Sequence, residues 1–158
     1  MFWIGQRLKT LPSLFGWLES VGYGLLFMAI AVVVMPSAIA IDQSPPFGEL
    51  LKISAIAFFI PALTEEIIFR GLLLPKVSAK WMILSTLAYV LWHPLEALTF
   101  LPESALYFLN LRFLLLVALL GIFCLHAYRR TGSLWASVLV HWLVVVAWKA
   151  AGGARFIA

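Results

Sequence analysis

A chain of 158 residues that is 64% hydrophobic and only 11% charged lies far from the soluble norm of about 45–50% apolar and about 25% charged residues, and so small a domain has too little interior to hide that surface. The mean hydropathy of +1.05 points to lipid as the solvent and excludes disordered, coiled-coil, collagen-like and disulfide-scaffold readings. The net charge of +4 arises from Lys and Arg residues that punctuate apolar runs without forming a basic stripe, which fits topogenic charges at a bilayer surface and no nucleic-acid partner.

Residues 1–20 form an N-terminal amphipathic segment. Met1 to Leu18 carries Phe2, Trp3, Ile4, Leu8, Leu11, Leu14, Phe15 and Trp17 with Arg7 and Lys9 among them, and reads as an interfacial helix interrupted at Pro12. Residues 21–158 form a transmembrane helical domain. About 20 apolar residues cross a bilayer as a helix, and five such stretches follow: Gly22 to Ile41, Ile53 to Leu74, Trp81 to Thr99, Leu111 to Tyr128 and Leu134 to Ala151. The expected fold is all-α, a multi-pass bundle of about five spans plus the N-terminal interfacial helix. Arg7 and Lys9 ahead of an apolar stretch ending in Ala38-Ile39-Ala40 also resemble a secretory signal, but the stretch is too long and a further span follows it. Between the first two spans, Ser44-Pro45-Pro46 and Gly48 supply turn chemistry.

Alternating sides place Arg7, Lys9, Lys76, Lys80, Arg129 and Arg130 at one surface, and Lys52, Arg112, Lys149 and Arg155 at the other with Asp42, Glu49 and Glu103. Basic residues favour the cytoplasm, so the N-terminus is expected inside. Trp3, Trp17, Trp81 and Trp135 fit an interfacial belt, and Cys124 and His126 fit an apolar-run side chain and an interfacial one. Glu96 and Glu103 are expected in the outer loop.

An ionisable side chain at mid-membrane costs from a few to more than ten kcal/mol by different estimates, so those inside spans carry the functional signal. The second span holds Glu65, Glu66 and Arg70, the third His93 and the fifth His141. With a rise of about 1.5 Å per residue, Glu65 lies roughly 14 Å, His93 about 18 Å and His141 about 10 Å below the same surface. A shared polar site in the cytoplasmic half of the bundle is expected. Glu66 and Arg70, spaced i, i+4, can pair along one face, which leaves Glu65, rotated about 100° away, for general-base work.

A carboxylate and two imidazoles in a desolvated cleft suit hydrolysis: Glu65 deprotonates a water held against His93 while His141 donates to the oxyanion. The same three groups could ligate zinc, as two His and one Glu do in some catalytic sites, although no HExxH is present. The residues leave that choice open.

Glu65-Glu66-Ile67-Ile68-Phe69-Arg70 resembles the EExxxR motif of the CAAX-protease and bacteriocin-processing (CPBP, or Abi) family of intramembrane endopeptidases. Tyr89-Val90-Leu91-Trp92-His93 resembles its FxxxH motif with Tyr for Phe, and His141 to Val145 lies where that family has HxxxN. The resemblance covers about residues 50–148. It implies a helical intramembrane protease opening toward the cytoplasm, with Glu65 as the catalytic carboxylate, Glu66 and Arg70 as its supporting pair, Tyr89 also supporting, His93 binding the water and His141 stabilising the oxyanion. It also implies a glutamic mechanism with no cofactor or catalytic metal, and a peptide or membrane-anchored protein as substrate. Val145 stands where the family has Asn, and loss of one oxyanion donor typically costs on the order of 10²–10³ in rate. A non-catalytic immunity or scaffold protein on the same fold is the alternative. A proton-coupled transporter is weaker, because five short spans show no inverted repeat.

Overall fold

The computed structural model describes residues 2–36 and 44–153, and side chains from residue 4 to 151. The end of the first expected span, the Ala38-Ile39-Ala40 stretch, Asp42 and Arg155 lie outside the described residues, as does the Trp3 side chain. Helix α1 (Phe2–Lys9) stops ahead of Pro12, and Ser13 then starts α2 (Leu14–Val34), its hydroxyl accepting the Gly16 N–H at 3.2 Å. The first long helix thus begins at Leu14 and not at Gly22. Glu19, inside this longer helix, is neutralised within the fold: it accepts the Tyr23 O–H at 2.7 Å and pairs with Arg130 at 3.3 Å.

Helix α3 (Phe47–Leu72) is irregular. Regular turns over Phe47–Ala57 give way to wider turns at Phe58–Leu63, where Ile60 has an extended backbone (φ −134°, ψ 112°) and Pro61 brings no donor; Thr64–Glu66 is regular again, and Ile67–Leu72 is wide. Helix α4 (Ala79–Thr99) runs straight through Pro94. A 3-10 turn at Pro102–Ser104 and a single turn α5 (Ala105–Phe108) lead to α6 (Leu111–Thr131). Asn110 caps α6 by accepting the Arg112 N–H at 2.9 Å, and Gly132 ends it with φ 67°, a left-handed conformation that glycine adopts without steric cost. Ser133 caps α7 (Leu134–Trp148), which continues in wide turns over Lys149–Gly153.

Among the described residues the chain is helical without a strand. Helices α2, α3, α6 and α7, the last extended to Ala151, are long and apolar enough to cross a membrane. Helix α4 matches them in length at 21 residues, but Lys80, His93 and Glu96 make it less apolar. The core joins Phe27 and Ala31 of α2, and Met35 just past its end, to Leu116, Leu120, Cys124 and Ala127 of α6 and to Ala136, Val140 and Val144 of α7. Small side chains at these contacts let helices approach closely, the main source of helix association in lipid. Leu25, Val33, Leu91, Leu115 and Ile122 point outward, onto the hydrocarbon.

At one end of the bundle, α1 lies across the ends of α3 and α7. The Trp135 indole donates to the Leu8 carbonyl at 2.7 Å and the Ser133 hydroxyl to that of Thr10 at 2.5 Å, so Trp135 ties two helices together and is more than an interfacial belt residue. The loop Phe100 to Asn110 lies at the other end.

Candidate active site

Arg70 organises the polar interior. Fully buried, its Nη1 donates to Glu66 Oε1 at 3.0 Å, its Nη2 donates to the Gly121 carbonyl at 2.9 Å, and its guanidinium lies 4.5 Å from the centre of the Tyr89 ring. The approach needs Gly121: a Cβ there would sit 3.0 Å from Tyr89 Cδ1 and 3.4 Å from Arg70 Nη2. The i, i+4 pair read from the sequence is therefore present, held by a cation that touches three helices.

Glu66 Oε1 also accepts His141 Nδ1–H at 3.1 Å, a contact that spacing within one helix could not reveal. This bond assigns the tautomer. The other ring nitrogen, Nε2, lies 3.5 Å from the Tyr89 hydroxyl and 3.9 Å from Glu65 Oε2. Glu65 is 6% exposed, and its Oε2 has no hydrogen-bonding partner among the described residues. On α4, His93 Nδ1–H donates to the carbonyl of Tyr89 at 3.1 Å, which leaves its Nε2 as an acceptor. Phe108 and Phe113 pack on the His93 ring at centroid distances of 5.1 and 6.0 Å.

A cavity of about 270 Å³ brings together Glu65, Tyr89, His93 and His141. Its walls are apolar, among them Phe27, Leu120, Val144 and Val145. Val145 therefore occupies the wall one turn beyond His141 without a donor to offer, and Asn110 is committed to the α6 cap. Glu96 also lines the cavity. The expectation that it belongs to the outer loop fails because the cavity extends along α4 past His93, and Glu96, three residues on and still within the helix, shares that face. That i, i+3 spacing was the available signal.

The cavity also departs from the expected direction. Leu101, Ser104, Phe108, Trp148 and Lys149 line its far part, all from the end of the bundle opposite α1. Glu65 does lie nearer the α1 end, seven residues before Leu72, but the space above it leads away from the surface assigned to the cytoplasm, so the expected cytoplasmic opening and cleavage near that face do not follow from this fold.

For a metal, the donors of Glu65, His93 and His141 do not all come within 4.8 Å of one another, although Glu65 and His141 do; among the described residues Glu66, Cys124 and His141 form such a group. That group fits a cation poorly, because the Arg70 guanidinium already occupies Glu66 Oε1 and Cys124 Sγ–H donates to the Ser137 carbonyl at 3.6 Å.

The profile of the type II CAAX prenyl endopeptidase Rce1-like family matches residues 47–147. The chain belongs to this family. The matched region of this Rce1-like protein runs from the start of α3 nearly to the end of α7 and contains every polar residue of the cluster, while α1 and α2 lie outside it. Neither a curated protein nor a solved structure matches the chain.

Proposed function

We propose that this Rce1-like protein is an intramembrane endopeptidase that uses Glu65 and His93 to activate water. The observation that carries the reading is that Glu65, His93 and His141, from three helices, line one cavity, with Glu65 Oε2 lacking a hydrogen bond among the described residues. Glu65 takes a proton from a water that donates its other hydrogen to His93 Nε2. The resulting hydroxide adds to the scissile carbonyl carbon. On collapse of the tetrahedral intermediate the C–N bond breaks, and the Glu65 carboxylic acid returns its proton to the leaving amine.

The oxyanion needs donors in a dry setting, where each is worth most. The Tyr89 hydroxyl is one. His141 is the other in its imidazolium form, when Nε2 bears a proton and Nδ1–H still donates to Glu66. The apolar walls suit a substrate that presents an apolar or lipidated side chain beside the cleaved bond, in keeping with the prenylated substrates that the family is named for.

The test is cleavage of a membrane-anchored peptide by the purified protein in nanodiscs. Glu65→Gln and His93→Ala should each abolish turnover while helicity and unfolding temperature are retained, and wild-type cleavage should persist in a metal chelator. Full turnover in both variants rejects the reading. Loss of wild-type activity in chelator, restored by zinc, replaces the water-activating step with a metal-dependent one.

A further inference from the structure

From the contacts of α1 we infer that Arg7 is a positioning residue for the buried Glu66–Arg70–His141 array, acting through the end of α3. The last carbonyls of a helix have no partner within it, carry the negative end of its dipole and are costly to leave bare in an apolar setting. Here they are capped from outside the helix. Arg7 Nη1 donates to the carbonyls of Arg70 and Leu74, each at 2.8 Å, and to that of Gly71 at 3.3 Å, and its guanidinium lies 5.0 Å from the centre of the Tyr128 ring.

One of those carbonyls belongs to Arg70 itself. Arg7 therefore grips the backbone of the residue whose side chain holds Glu66, and Glu66 in turn orients the His141 ring. The wide turns over Ile67–Leu72 bond i to i+5, which leaves one more terminal carbonyl without a partner inside the helix than an α-helix does, and Arg7 meets that need from outside. Arg7 lies outside the region that matches the family, in a segment whose sequence reads only as an interfacial helix.

The experiment compares Arg7→Met, which removes the donors, with Arg7→Lys, which keeps the charge and one nitrogen. It rests on the endopeptidase reading for one of two readouts. In the kinetic readout, Arg7→Met lowers kcat by on the order of 10²-fold, the cost of a small misplacement of reacting groups, at unchanged KM and per mole of folded protein, while Arg7→Lys recovers part of the loss. The second readout needs no turnover: in the wild type the His141 Nδ1 proton, bound to Glu66, resonates at low field in the NMR spectrum, and it moves upfield or exchanges away in Arg7→Met. If Arg7→Met does not fold, an intermediate kcat and a displaced His141 resonance in Arg7→Lys carry the same conclusion. Wild-type kcat per folded molecule together with an unmoved His141 resonance, in whichever variant folds, overturns it. A wild type with no peptidase activity but a His141 resonance that responds to Arg7 overturns the endopeptidase reading and leaves the positioning role standing.

Discussion

Arg70 shows what a bilayer-spanning bundle demands of a buried charge. An unpaired guanidinium would be expelled; this one survives because a carboxylate, a backbone carbonyl and an aromatic face meet it at once. The same penalty made Glu65, Glu66, Arg70, His93 and His141 legible in sequence, since hydrocarbon rejects such groups unless they converge. Glu96 was assigned to the outer loop because it lies only three residues before the expected span end at Thr99. Val145 is the residue whose chemistry is most open to test. It lines the cavity wall one turn past His141, so Val145→Asn places an amide donor beside the proposed oxyanion site. The substitution should raise kcat, by up to about 10²-fold if the restored donor has its usual worth, as read from peptide turnover at saturating substrate; an unchanged or lower kcat means that the amide does not reach the oxyanion.

Helices as elements were read well from hydropathy, because a run of apolar residues long enough to span has few other stable fates. Their ends and irregularities were not. Helix α2 begins eight residues before the expected Gly22, since Glu19 is compensated by Tyr23 and Arg130, which are contacts no single-helix pattern contains. The wide turns and the extended Ile60 in α3 were foreshadowed only by Pro61, yet they place Glu65 and Glu66 where α7 can reach them. Helix contact through glycine is equally invisible in hydropathy. Gly121→Ala should destabilise by about 1–3 kcal/mol, the usual cost of overpacking, because the new methyl meets Tyr89 and Arg70. Gly22→Ala, with nothing within 4 Å of its Cβ, should change stability by no more than about 1 kcal/mol, toward greater stability, through its better helix propensity. Denaturant unfolding in a constant detergent compares the two.

At the scale of the whole molecule, α1, the loop after α3 and the loop after α6 share one end, and the Phe100 to Asn110 loop marks the other, as alternation of the spans requires. The basic residues, six against four, predict that the α1 end faces the cytoplasm. Cysteines introduced singly at Ser78 and Leu106 should then react with an impermeant thiol reagent from opposite sides, Ser78 from the cytoplasm and Leu106 from outside, with buried Cys124 silent; the reverse pattern would open the cavity toward the cytoplasm. Composition and the spacing of polar residues by themselves determined a lipid-embedded helical bundle with a carboxylate, a supporting ion pair and two histidines inside it, because burial of apolar length and exclusion of charge act on each helix separately. Tertiary structure alone decided which carboxylate bonds His141, that Glu96 joins the cavity, which way that cavity leads and that Arg7 caps α3, because these depend on how helices are rotated and stacked against one another, and that is a property of pairs of surfaces that no single segment carries.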